Sequence, residues 1–222
     1  MRLVFTRPQE DSERSAIALR ARGHDVLVAP LMRVETIKPA LRPHWGAIVI
    51  TSANAAAAIA SHPVHAQLVK LPVYAVGKRS ADAARTAGFT DVTSAGGDLR
   101  DLLRIVAAHR PDAAAPLLYL AGEDRAGDLI GDLAVHGIAA ELAVVYRAVT
   151  APFPDELIAA LKAGDVDGAT KAGIALQTFG IRHFCLSEQI AAPLKAAGAT
   201  EVAIARRPDE AALLALVEAA DI

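Results

Sequence analysis

The chain has 222 residues, a formal charge of −2 and 53% hydrophobic residues, a length that suits one or two domains with proper cores. That charge balance supplies no basic face for nucleic acid or an anionic membrane surface, and no apolar run approaches the ~20 residues of a membrane span. One cysteine, Cys185, leaves no intramolecular disulfide, and the stretch MRLVFTRPQEDSERS meets charge after three apolar residues, unlike a signal peptide, so a cytoplasmic protein is expected.

Apolar runs at 2–5, 25–28, 47–50, 73–76, 91–93, 117–120, 183–186 and 202–205 predict strands. Helical periodicity near 10–22, 53–60, 78–87, 98–108, 123–135, 188–197 and 208–219 fills the intervals. Alternation of this kind makes parallel sheets covered by helices. Two segments break it, 31–37 and 141–150, each long and extended in pattern. If they pair as a two-stranded connector, the chain crosses twice. One domain is then 1–30 plus 152–222, the other is 40–140, and 31–39 and 141–151 are the connector strands. Pro39, Pro43, Pro152 and Pro154 flank those crossings and resist helix there. Two sequential halves divided near 115 are the alternative.

An internal repeat runs through this pattern. Residues 73–92 recur, with drift, at 183–202: Ala81 meets Ala191, Ala87 meets Ala197, Gly88 meets Gly198, Thr90 meets Thr200 and Val92 meets Val202, all 110 positions apart. A weaker echo links Leu3–Met32 with Leu118–Tyr146, where Gly23 and Gly137 each end a helical stretch. A period this long exceeds that of a solenoid. The expectation is α/β: two similar parallel-sheet domains with a cleft between them, the place to look for a ligand.

The strand-to-helix turns carry Thr6-Arg7-Pro8, Thr51-Ser52-Ala53-Asn54, Val76-Gly77-Lys78, Ala121-Gly122-Glu123 and Leu186-Ser187-Glu188. In parallel sheets such turns gather on one rim, where helix N-termini offer unpaired N–H groups to anions. With Arg7, Lys78, Arg79, Arg125 and Arg147 added, the rim suits a flexible ligand carrying several carboxylates. Basic residues in a helix's first turn, as at Lys78 and Arg79, are unfavourable unless an anion visits. The plain alternative at each hydroxyl is a helix cap.

Phosphate-loop and dinucleotide fingerprints are absent. His62 and His65 flank Pro63 with no cysteine or carboxylate cluster beside them, a poor zinc pattern. Cys185 sits in a predicted strand and reads as a small hydrophobe.

Six segments in series then resemble the uroporphyrinogen-III synthase family: LVFTRP at 3–8, IVITSANA at 48–55, VYAVGKRSADA at 73–83, LYLAGEDRAGDL at 118–129, VVYRA at 144–148 and CLSEQIA at 185–191. The resemblance implies two α/β domains joined by a two-stranded connector. It implies cofactor-free cyclisation of the linear tetrapyrrole hydroxymethylbilane, with loss of water and inversion of ring D, by a monomer in transient contact with the preceding enzyme of the pathway. It points to Tyr146 as the acid that helps hydroxide leave. Binding of substrate falls to the rim: Thr6, Arg7, Thr51, Ser52, Asn54, Gly77, Lys78, Arg79, Ser80, Gly122, Arg125 and Ser187. No metal is implied. One departure stands out, since Ser52 to Gly77 spans 25 positions whereas Thr170 to Ser187 spans 17. The shortened 166–184 segment, with Ile190 where the family often has Thr, motivates a second reading: an impaired member that binds a linear tetrapyrrole or a partner protein.

Overall fold

A computed structural model describes residues 1–42, 44–109, 115–125, 127–170, 180–207 and 209–220. The strands are β1 (Arg2–Phe5), β2 (Asp25–Val28), β3 (Met32–Thr36), β4 (Ala47–Ile50), β5 (Val73–Ala75), β6 (Val92–Ser94), β7 (Leu117–Gly122), β8 (Ala140–Thr150), β9 (Gly168–Thr170), β10 (Arg182–Cys185) and β11 (Val202–Ile204). The helices are α1 (Gln9–Arg20), α2 (Ala53–Ile59), α3 (His65–Leu68), α4 (Lys78–Thr86), α5 (Leu99–His109), α6 (Leu129–Val135), α7 (Asp155–Ala163), α8 (Glu188–Ala196) and α9 (Glu210–Glu218). They form two compact units, Met1–Arg33 with Val149–Ile222, and Val34–Ala148.

The first unit holds a parallel sheet in the order β11-β10-β9-β1-β2. Strand alternation assigns its layers. Val4 packs with Leu157 and Leu161 of α7, while Leu3 and Phe5 turn to the opposite face with Leu19 of α1 and Leu213 and Val217 of α9. Helix α7 escapes the periodicity scan, although its punctuation is present: Pro154 before it, Asp155 and Glu156 in its first turn, and Gly164 beyond it at φ 70°. Strand β9 escapes as well, because Gly-Ala-Thr is short and weakly apolar. It lies centrally between β1 and β10.

The second unit holds the order β3-β8-β7-β4-β5-β6. Strands β4 to β8 are parallel. Ile48 and Ile50 of β4 join Leu118 and Leu120 of β7 against α2 and α4; Ala47, Val49, Leu117, Tyr119 and Ala121 meet α5 and α6 on the other face. The two crossings run antiparallel: Ile37 N–H donates to Val145 O at 2.7 Å, and Ala151 N–H to Leu31 O at 2.9 Å, so one segment's numbers fall as the other's rise.

The sequence repeat is a structural repeat. Helix α4 and helix α8 are in the same 110-residue register, as are the pairings Val73↔Val92 and His183↔Val202. Gly88 and Gly198 close the two helices at φ 96° and 95°, a left-handed turn that glycine adopts without steric cost. The units differ between their third and fourth equivalent strands. From β4 to β5 the chain winds α2 and α3 over residues 51–72, whereas only residues 171–181 separate β9 from β10 in sequence. Of the shortened segment noted above, residues 171–179 lie outside the described residues, as does Pro43.

Candidate active site

A doubly wound sheet has one place where successive strands depart in opposite directions, and the turns on either side of it diverge to leave a crevice. In the second unit that place is between β4 and β7, since β5 and β6 lie beyond the former and β8 beyond the latter. The turns there are Thr51-Ser52 and Gly122–Arg125. They line a cavity of about 300 Å3 with Val76, Leu99, Tyr119, Ala121, Leu129 and Tyr146. Five predicted site residues, Thr51, Ser52, Gly122, Arg125 and Tyr146, therefore meet in one cavity.

Tyr146 is brought there by an irregularity in the ladder. Ala121 pairs with Val144, but Gly122 pairs with Tyr146, skipping one residue, and a bulge of this kind re-aims a side chain. The ring then lies directly over the Gly122 backbone, where a Cβ would stand 2.6 Å from Cζ and 2.8 Å from Oη of Tyr146. Only glycine leaves that space. The Glu123 N–H donates to Tyr146 O at 2.9 Å, and Arg125 Nη1 folds back to donate to the carbonyls of Gly122 and Glu123 at 3.0 and 2.9 Å. Arg125 thus clips the turn while presenting charge at the mouth.

Ser52 caps α2, accepting from Asn54 N–H at 3.2 Å, so its hydroxyl has a structural duty as well as a place in the cavity. Thr51 Oγ1 lies 3.0 Å from the hydroxyl of Tyr119, a residue the sequence scan passes over. Gly77, Lys78, Arg79 and Ser80 open α4, beside the cavity through Val76. Lys78 and Arg79 lie at its first turn and Ser80 is buried, and among the described residues no side chain caps that helix.

The remaining predicted residues are in the other unit. Thr6 and Arg7 follow β1, at the equivalent divergence between β1 and β9. Arg7 is buried, its guanidinium 5.4 Å from the Phe5 ring centre, donating to Asp11 O at 3.0 Å and to Ser15 Oγ. Ser15 in turn donates to Glu210 at 2.6 Å. Burial would push the Glu210 carboxyl up, but the Ser15 and Arg14 hydrogen bonds bring it below its ordinary value. Arg7 is thereby built into the junction of α1 and α9. Ser187 stands at the start of α8 without a capping bond from its side chain. Back in the second unit, Arg147 binds Glu35 through Nε and Nη2 at 3.0 and 2.9 Å.

Among the described residues, two roomier hollows lie elsewhere. One of about 620 Å3 borders Asp167, Arg182 and Glu201 at the amino ends of the first unit's strands, where helix C-termini disfavour anions. The other, about 590 Å3, runs beneath Trp45 beside Glu123 and Glu141. There Glu141 accepts from Trp45 Nε1 at 2.9 Å and from His44 at 3.0 Å. On these walls Arg182 is paired with Glu201 and His44 with Glu141, which leaves carboxylates beside the cations.

The histidine pair is structural. His62 Nδ1 accepts from Val64 N–H, leaving Nε2 to donate to Pro39 O at 2.9 Å, while His65 bonds Ala87 O and meets Phe89 edge-on. Burial pushes the Cys185 thiol up to about 11, so it is a poor nucleophile.

A protein-family model described as uroporphyrinogen-III synthase HemD matches residues 13–215. The chain belongs to the uroporphyrinogen-III synthase family. Uroporphyrinogen-III synthases are cyclising lyases of porphyrin and heme biosynthesis that act on a tetrapyrrole, and that is the activity of this chain. Among solved structures, the uroporphyrinogen-III synthetase of Helicobacter pylori 26695 is similar at TM-score 0.66 and 18% identity, over 99% of this chain and 100% of that one. A mutant uroporphyrinogen III synthase of the extreme thermophile Thermus thermophilus is similar at TM-score 0.53 and 17% identity, over 100% and 99%. At such identity these two establish the fold. No curated protein matches the sequence. The family match runs across the shortened 166–184 segment, and nothing in it supports an impaired member.

Proposed function

We propose that the cavity at the β4/β7 divergence is the catalytic centre, where hydroxymethylbilane loses water and closes with ring D inverted. The supporting observation is the seating of Tyr146 over Gly122, which brings a proton donor to the carboxyl ends of the strands. Departure of hydroxide leaves a resonance-stabilised cation, so one acid and a folded substrate meet most of the chemical demand. Tyr146 is that acid. Thr51, Ser52 and Arg125, with Gly77, Lys78, Arg79 and Ser80 on the adjoining turn and Asn54 behind, receive the acetate and propionate groups. Thr6, Arg7 and Ser187 serve the other unit's rim, Arg7 by shaping its turn. Val76, Leu99 and Leu129 give the pyrroles an apolar floor. We further propose that the enzyme is a cytoplasmic monomer receiving its unstable substrate from the preceding enzyme; among the described residues no helix is long and apolar enough to cross a membrane. The test supplies fresh hydroxymethylbilane and resolves the oxidised products into isomers I and III. Isomer III in excess is expected. Isomer I alone, at the uncatalysed rate, would remove the proposal.

A further inference from the structure

We infer that Tyr119 is a positioning residue, which with Thr51 forms a two-hydroxyl unit presenting one proton donor to a substrate carboxylate; this rests on the catalytic centre proposed above. Tyr119 is 5% exposed and sits mid-strand in β7, on the face otherwise filled by Leu117 and Ala121. Its backbone is in register with Val49, so Thr51 is the next residue along on the same face of β4. That diagonal is within reach of an aromatic side chain, and the two hydroxyls meet at 3.0 Å. Two hydroxyls carry two protons, and the bond between them uses one. With Tyr119 donating to Thr51, the Thr51 proton remains for the ligand, and both residues line the cavity. A carboxylate is an acceptor only, which makes it the complementary ligand.

Tyr74 provides the internal contrast. It occupies the same apolar layer, but its hydroxyl donates to His109 O at 2.6 Å, among Pro72, Asp91 and Ile105, away from the cavity. It is a core tyrosine whose polar end is simply satisfied.

The experiment measures kcat and KM for isomer III formation by the full chain and by Tyr119→Phe, Thr51→Val, the double variant and Tyr74→Phe, with thermal midpoints for each. Tyr119→Phe is expected to raise KM about 3- to 10-fold, the effect of one hydrogen bond, with kcat held within about twofold. Because Tyr119 acts through Thr51, the double variant should be no worse than Thr51→Val, a non-additivity expected of coupled residues. Tyr74→Phe should change the midpoint and leave KM alone. Wild-type KM in Tyr119→Phe, additive losses in the double variant, or a fall in kcat at constant KM would each overturn the inference while wild-type isomer III still upheld the catalytic centre. Isomer I alone from the wild type would sink both.

Discussion

Gly122→Ala is the sharpest test of how Tyr146 is held. The added methyl would lie 2.6 Å from Tyr146 Cζ, where ordinary contact begins near 3.4 Å, so the ring must retreat by about 0.8 Å. Overpacking of this kind costs about 1–3 kcal/mol where nothing yields. Tyr146 is only partly buried and can move outwards, which places the stability cost near ~1 kcal/mol, or roughly 2–4 °C in Tm for a chain of this length. Function should suffer more, since a displacement of about 1 Å can cost ~10²-fold in rate. Single-turnover isomer III formation by Gly122→Ala should fall by about 10- to 100-fold while tetrapyrrole affinity changes little. The same substitution in a Tyr146→Phe background should cost less, because the hydroxyl it would misplace is already gone. A wild-type rate in Gly122→Ala would refute the idea that the close seating of the ring matters for chemistry.

Tyr146→Phe itself keeps the ring and the strand, so binding should persist while turnover drops by up to ~10²-fold; unchanged turnover would assign the reaction to positioning alone. His183 is 1% exposed, has no hydrogen bond to Nδ1 among the described residues, and is pushed below its ordinary pKa by burial. The unfolded chain therefore takes up the proton first, and stability should decline as pH falls below about 6.5. His183→Val, which copies Val73 of the sister strand, should shift Tm upward relative to wild type at pH ~5 more than at pH ~8; an equal shift at both would contradict this. His44 is raised by its bonds to Arg42 O and Glu141, and Glu141 is lowered by its bonds from Trp45 and His44. The stabilisation from His44 is present below its unfolded pKa and lost as pH rises through the folded one. That from Glu141 is present above its unfolded pKa and lost as pH falls through the folded one. Because Trp45 is the sole tryptophan, its emission should shift at both ends of a titration from about pH 4 to 9, and His44→Ala should flatten the alkaline limb. A flat wild-type profile would argue against coupling of the three groups.

Much of the fold was legible because it is written in periodicity. The recurrence at 110 residues marks equivalent strands and helices, and α4 and α8 begin and end in that register. What escaped was weak in pattern or long in range. Gly-Ala-Thr does not announce a central strand, and α7 is signalled by its boundaries more than by its apolar stripe. Tyr119 reads as core because alternation places it inward, and only the pairing of β4 with β7 carries its hydroxyl to Thr51. The bulge that aims Tyr146 leaves no trace in the local sequence. Arg7 looks like a rim cation from Thr-Arg-Pro alone; its inward turn depends on Ser15 and, through Ser15, on Glu210 at the far end of the chain.

The double crossing has a consequence for synthesis on the ribosome. Strand β1, apolar on both faces, finds one neighbour in β2 soon after it emerges, but its other neighbour, β9, follows some 165 residues later. Every strand of the Val34–Ala148 unit is made before that partner exists. The nascent chain must therefore carry an incomplete sheet with an open edge while a whole α/β unit condenses behind it, and an open apolar edge is a template for pairing with other chains. Sheltering β1 and β2 until residues 168–170 arrive would protect this fold at its most exposed moment.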